Sequence, residues 1–115
     1  MTPAAKFTAY RKACLKWQQQ LGLADWRLMF ELDRASSSDR HARVLYNVET
    51  RAAKLILCAR SVTDQSIERL ALHEMLHLLT ADMLVLAGAR ADDAHADVVR
   101  EEHRCIERLL KVLLP

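Results

Sequence analysis

From Ile67 to Leu86 the chain carries apolar residues on almost every side of a helical projection. A helix that is apolar all round must be covered all round, so the other elements have to wrap it. The material for that wrapping is visible upstream. Pro3 stands where a first helical turn tolerates it and Gly22 where a helix commonly stops. Between them Phe7, Tyr10, Cys14, Trp17 and Leu21 recur at spacings of three and four, which predicts an amphipathic helix over 4–21.

The period then changes to two. Trp26, Leu28, Phe30 and Leu32 fall on one face of residues 25–33, and Arg27, Met29 and Glu31 on the other, the pattern of a half-buried strand. Residues 34–43 are polar and read as a loop. Val44 to Glu49 and Ala53 to Ala59 are short β-prone runs close enough to form a hairpin. Thr63 or Asp64 can cap the long apolar helix and Gly88 can end it. Asp92 or Asp93 then caps a last helix running to about Leu114. The predicted order is helix, three strands, helix, helix: an α+β fold in one domain spanning 1–115.

Composition narrows the classes further. Only two glycines and two prolines occur in 115 residues, too few turn-formers for a many-stranded sandwich or barrel. Hydrophobic residues at 51% and charged residues at 28% exclude a disordered chain. Lys+Arg 17 against Asp+Glu 15 gives a formal +2, too balanced to announce a nucleic-acid or anionic-membrane partner. Cys14, Cys58 and Cys105 are odd in number and form no CxxC pair, which argues against a disulfide framework or a cysteine zinc ribbon. No signal peptide or membrane span is visible, so the expected address is a reducing cytoplasm.

The apolar helix contains His73-Glu74-Met75-Leu76-His77, an H-E-x-x-H pattern. Residues four apart share a helix face, so both imidazoles can reach one metal ion. Zn²⁺ takes neutral imidazole nitrogen readily, and a catalytic site needs three protein ligands and a water. Glu74 stands at the side of the pair, placed to take a proton from that water instead of binding the metal. Without such a role, three polar groups would be buried in a core helix at a cost of several kcal/mol.

A third ligand must come from elsewhere. On the last helix, with about 100° per residue, Val98, Cys105, Ile106, Leu109 and Leu113 fall within about 60° of Glu102. A carboxylate in the middle of an apolar face needs a partner, and Glu102 is the expected third ligand. Glu101 and His103 point toward the edges of that face, where solvated flank residues belong. His95 lies on the apolar face two turns earlier and reads first as a satisfied buried histidine. His41 reads as solvated, Trp17 and Trp26 as core. Tyr46 reads as core with a wet tip, with donation to an oxyanion as its functional option. Arg100, Arg104 and Arg108 read as a solvated face, or as a phosphate-binding stripe.

These residues resemble a zincin, a metallopeptidase of the H-E-x-x-H class, and a downstream Glu resembles its gluzincin branch. The Asp25-Trp26 strand entry, the segment 72–79 and Glu101-Glu102-His103-Arg104 are similar to small metallopeptidases of phages and prophages, and more distantly to SprT-like and ImmA/IrrE-like minimal zincins. The resemblance implies a sheet, an active-site helix and a later helix supplying the third ligand. It also implies hydrolysis of protein or peptide substrates, with His73, His77 and Glu102 on Zn²⁺ and Glu74 as general base. The substrate would lie extended along the sheet's edge strand, here Lys54 to Ala59. The competing class is a zinc-stabilised binding or regulatory module without turnover. A nucleic-acid-binding role would rest on the arginine stripe alone.

Overall fold

The computed structural model describes residues 2–34, 41–59, 67–90 and 95–114. Its architecture is mixed α+β: α1 (Pro3–Gln20), β1 (Arg27–Asp33), β2 (Ala42–Asn47), β3 (Ala52–Cys58), α2 (Ile67–Leu79), α3 (Ala81–Arg90) and α4 (His95–Leu113). Thr2 caps α1 by accepting from the Ala5 N–H at 3.1 Å, with Pro3 in the first turn. The helix buries Tyr10, Ala13, Cys14 and Trp17. Gly22 closes it at φ +73°, a conformation that side-chain-bearing residues rarely adopt. The Gln18 amide then donates to the carbonyls of Leu23 and Trp26, at 3.1 and 2.9 Å, and ties the helix end to the start of β1.

The sheet has the order β1-β3-β2, with β1 parallel and β2 antiparallel to β3. The alternation of β1 and the hairpin of β2 with β3 follow the sequence pattern. The expectation that the third strand forms the edge is overturned: β3 is central. Leu55, Ile56, Leu57 and Cys58 are all buried, and an unbroken apolar run marks a strand covered on both sides and paired on both edges. The strand beside the cleft described below is β2, whose burial alternates along its length.

One core joins the sheet to the helices. Tyr10, Trp17, Trp26, Leu55, Leu57, Leu72, Met75, Leu76, Ile106 and Leu110 belong to the same buried cluster. α2 packs against α1, β2, α3 and α4. The long helix predicted over 67–86 is broken at Thr80, and the two halves bend by 52°. The Thr80 hydroxyl lies 3.2 and 3.3 Å from the carbonyls of Leu76 and His77, at the point where the helix bends. Beyond the bend, only Ala81 among the described residues of α3 is buried. Met83 is 76% exposed, and Val85 and Leu86 are also exposed, so the all-round cover expected of this segment holds only for α2. Gly88 does not stop the helix, because α3 runs through it to Arg90. The predicted caps at Thr63, Asp64, Asp92 and Asp93 lie outside the described residues.

α3 is held at its start. Arg51, in the β2–β3 turn at φ 55°, makes paired bonds to the Asp82 carboxylate at 3.0 and 2.9 Å. It also lies 3.5 Å from Asp25 and over the Trp26 ring. Asp82 is in the first turn of α3, where a carboxylate also meets the positive end of the helix. No single described helix is long and apolar enough to cross a membrane.

The contrast between the two halves of the bent segment is measurable. Leu72, fully buried in α2, should cost about 2–5 kcal/mol on Leu72→Ala. Met83→Ala in α3 should change stability by less than about 0.5 kcal/mol. Urea denaturation followed by circular dichroism checks both; equal costs would mean that α3 is as covered as α2.

Candidate metal centre

Helical spacing on α2 brings His73 and His77 together with their Nε2 atoms 3.2 Å apart. Two nitrogens bound tetrahedrally at the usual zinc distance stand about 3.3 Å apart, so the pair is already spaced for one ion. α4 runs beside α2 and contributes His103. Its ring centroid is 5.1 Å from that of His77 and 6.1 Å from that of His73. One nitrogen from each of the three rings lies within 4.8 Å of the others, the metal-ligand cluster found among the described residues. Three imidazoles close enough to hold a metal ion are therefore present.

The outer nitrogens test whether these rings fit a metal. His77 Nδ1 lies 3.2 Å from Glu102 Oε1. His103 Nδ1 lies 2.9 Å from the Val99 carbonyl. His73 Nδ1 lies 3.7 Å from Glu107 Oε1. His77 Nδ1 and His103 Nδ1 each lie within hydrogen-bond distance of an oxygen and so favour carrying the proton, which leaves their Nε2 as the acceptor, whereas the 3.7 Å at His73 is an electrostatic contact only. Metal-bound histidines have this outer arrangement. The Nε2 lone pair of His77 then faces Nε2 of His73 at 3.2 Å, where a ring N–H or a metal ion completes the contact. His73 is held below its usual pKa, first by burial and then by His77, so it is neutral and ready to ligate near pH 7.

Glu102 is buried, as the apolar face of α4 required, but it stands behind the cluster. Its Oε2 accepts from the Thr80 hydroxyl at 2.6 Å, and its Oε1 faces His77 Nδ1. The centre of the α4 face meets the bend of α2, whereas the gap between the histidines lies at the seam's margin. His103 is exposed there. Its signal in the sequence was its residue type, set beside the H-E-x-x-H pair; its marginal position had pointed to solvent. Thr80 gave no sequence signal. Glu101 points outward and pairs with Arg104 at 2.8 Å. His95 opens α4, and its side chain lies outside the described residues.

The histidines open into a cleft of about 410 Å³. Its floor is His73, Glu74 and His77 of α2, one wall is Ala42, Arg43, Val44 and Tyr46 of β2, and His103 closes the other side. Glu74 is only 6% exposed. Its charge also reaches inward to Tyr10, whose hydroxyl is held well above its usual range chiefly by burial, and to Cys14, whose thiol burial pushes up to about 12. The Tyr46 hydroxyl is also raised, by burial first and then by the charge of Glu102. It therefore remains a protonated donor beside the cleft. His41 is exposed, and its carbonyl accepts from the Cys58 N–H at 2.9 Å. In an antiparallel ladder bonded residues alternate, so the backbone groups of Ala42, Val44 and Tyr46 face away from β3. Within the described sheet β2 has no second neighbour, and these groups are open to an added strand.

No protein-family model, no curated protein and no solved structure matches this chain.

Two outcomes follow from the geometry. If the three rings hold a metal ion, His103→Ala should abolish most of its retention and Glu101→Ala almost none. Glu102→Gln should weaken binding by about 10–100-fold, the usual weight of an outer partner. Chelator competition measures all three, and unchanged affinity in His103→Ala would remove it from the ligand set. For the metal-free protein, the lowered pKa of His73 means the unfolded chain takes up a proton first as pH falls below about 6.5. Stability should therefore decline from about pH 6.5 downward, with a slope that His73→Gln reduces in thermal melts across that range.

Proposed function

We propose that the chain is a zinc-dependent peptidase of the minimal zincin kind, with His73, His77 and His103 as ligands and Glu74 as general base. One observation carries this reading. The two imidazoles of the H-E-x-x-H helix, at 3.2 Å, and Glu74 line the same cleft, against a strand with an open edge. The third ligand differs from the glutamate of the gluzincin resemblance, and Glu102 is an orienting partner of His77. Three histidines are also the ligand set of known hydrolytic zinc sites.

When bound, zinc would supply a Lewis acid that polarises a carbonyl and makes water a nucleophile near neutral pH. The chain's own residues supply the rest. The exposed backbone groups of Ala42, Val44 and Tyr46 can hold an extended peptide by strand addition. Glu74, one position on from His73 and largely shielded from bulk solvent, takes a proton from the attacking water and returns it to the leaving amine. Tyr46, a protonated phenol on the cleft wall, can donate to the carbonyl oxygen as charge develops there. Glu102 and Thr80 hold the His77 ring in the tautomer that ligation needs.

Glu74→Gln should keep nearly full zinc content and lose peptidase activity by about two orders of magnitude or more. Zinc analysis beside a cleavage screen on denatured proteins checks this. Undiminished cleavage by the variant would place the activity elsewhere. A wild-type protein that holds zinc and cleaves nothing would favour the binding-module alternative.

A further inference from the structure

The charges around the cleft are not matched one to one. On α4, Arg100 pairs with Asp97 and Arg104 with Glu101, both at 2.8 Å, and Glu107 is engaged by Arg69 at 3.0 Å. Arg108 and Lys111 are exposed and have no ionic partner among the described residues. Both line a groove of about 440 Å³ with His103, the residue that also closes the metal cleft. On the opposite wall Arg43 is exposed, lines the cleft and likewise has no described partner. The two hollows share a wall at His103, and the three uncompensated charges along them are all positive.

We propose that this trough selects polypeptide segments carrying acidic side chains near the site of cleavage. The proposal rests on the peptidase reading and names its substrate class. Along α4, His103 to Lys111 spans about 12 Å, which an extended peptide covers in about four residues. Acidic side chains within about four positions of the bound peptide group therefore reach Arg108 and Lys111, and those on the β2 side reach Arg43. A nucleic-acid strand suits the surface less well. Its phosphates form a continuous negative line, whereas Asp97, Glu101 and Glu107 interrupt the cations of α4. Apart from imidazole, the aromatic ring lining the two hollows is Tyr46, which is engaged edge-on with Trp26. That leaves no row of open rings on which bases could stack.

The test uses the full chain carrying Glu74→Gln and supplied with zinc, so that binding is read without cleavage. Fluorescein-labelled peptides of about twelve residues, alternating Ala with Glu, Gln or Lys, are compared by anisotropy with a single-stranded DNA of similar length. The Glu peptide should bind on the order of tenfold tighter than the Gln peptide at low salt, and the preference should shrink at high salt. Combined Arg108→Glu and Lys111→Glu should abolish it, while thermal melts shift by no more than a few degrees, because both side chains are exposed and only Lys111, in the last turn of α4, meets the helix dipole. Equal binding of Glu and Gln peptides, a preference that survives both charge reversals, or tighter binding of the DNA would overturn the proposal. Cleavage by the wild-type chain is scored separately. Cleavage without charge preference sinks only the selectivity, and charge preference without cleavage sinks only the peptidase.

Discussion

A carboxylate with 8% of its surface exposed sits where the second and fourth helices meet. Glu102 is tolerated there because the Thr80 hydroxyl donates to one oxygen and His77 Nδ1 lies beside the other. A buried charge without such partners costs several kcal/mol or takes up a proton. The three-residue connection fixes much else. Thr80 lies at the bend that turns α3 away from α2, and His77 is held with Nε2 toward the cleft. With α4 docked in this register through Ile106 and Leu110, both fully buried, the next residue along, His103, comes to the rim of the seam. The polar connection between the helices and the metal-ligand geometry are thus parts of one arrangement.

The cleft exists because the sheet ends beside α2. β3 takes the centre, with the continuous apolar run that a doubly paired strand requires, and pushes β2 outward. The unpaired backbone groups of β2 then stand next to the imidazoles. An exposed strand edge is ordinarily a liability for association. Here it is short, at six residues, and carries Arg43 within an alternation of half-buried and exposed positions. An edge of that kind discourages indiscriminate pairing.

Much of this was legible in the residues. A period of three to four located α1 and a period of two located β1, because each buries one face and exposes another; β-prone runs located the hairpin, and all-round apolarity located the α2 segment. The H-E-x-x-H spacing alone placed His73 and His77 together, since four residues make one turn of a helix. Three features were not legible. The break at Thr80 involves a hydroxyl that donates to a carboxylate on another helix, 22 positions away, while lying against two carbonyls of its own helix. The position of β3 depends on pairing between distant segments, although Leu55-Ile56-Leu57 carried the signal. The exchange of Glu102 for His103 in the ligand cluster reflects how helices meet: the centre of an apolar face touches the neighbouring helix, while a cleft opens at its margin. A helical projection ranks residues by burial, and burial locates the seam rather than the cavity.

The same distinction explains the division of labour among the acidic residues. Glu74 is on the helix that forms the cleft floor and stays largely shielded from solvent, where a proton acceptor is useful. Glu102 is one helix away, and both its oxygens face protein donors, so its charge orients a histidine. Glu107 lies farther along the same helix, half exposed, shared between His73 and Arg69. Three glutamates stand near three histidines, and their neighbours differ: Glu74 lines the cleft, Glu102 meets His77 and Thr80, and Glu107 meets Arg69 with His73 farther off. Under the proposed reading a change at Glu74 acts on the chemistry at the cleft, whereas a change at Glu102 acts first on the frame, through Thr80 and His77 together.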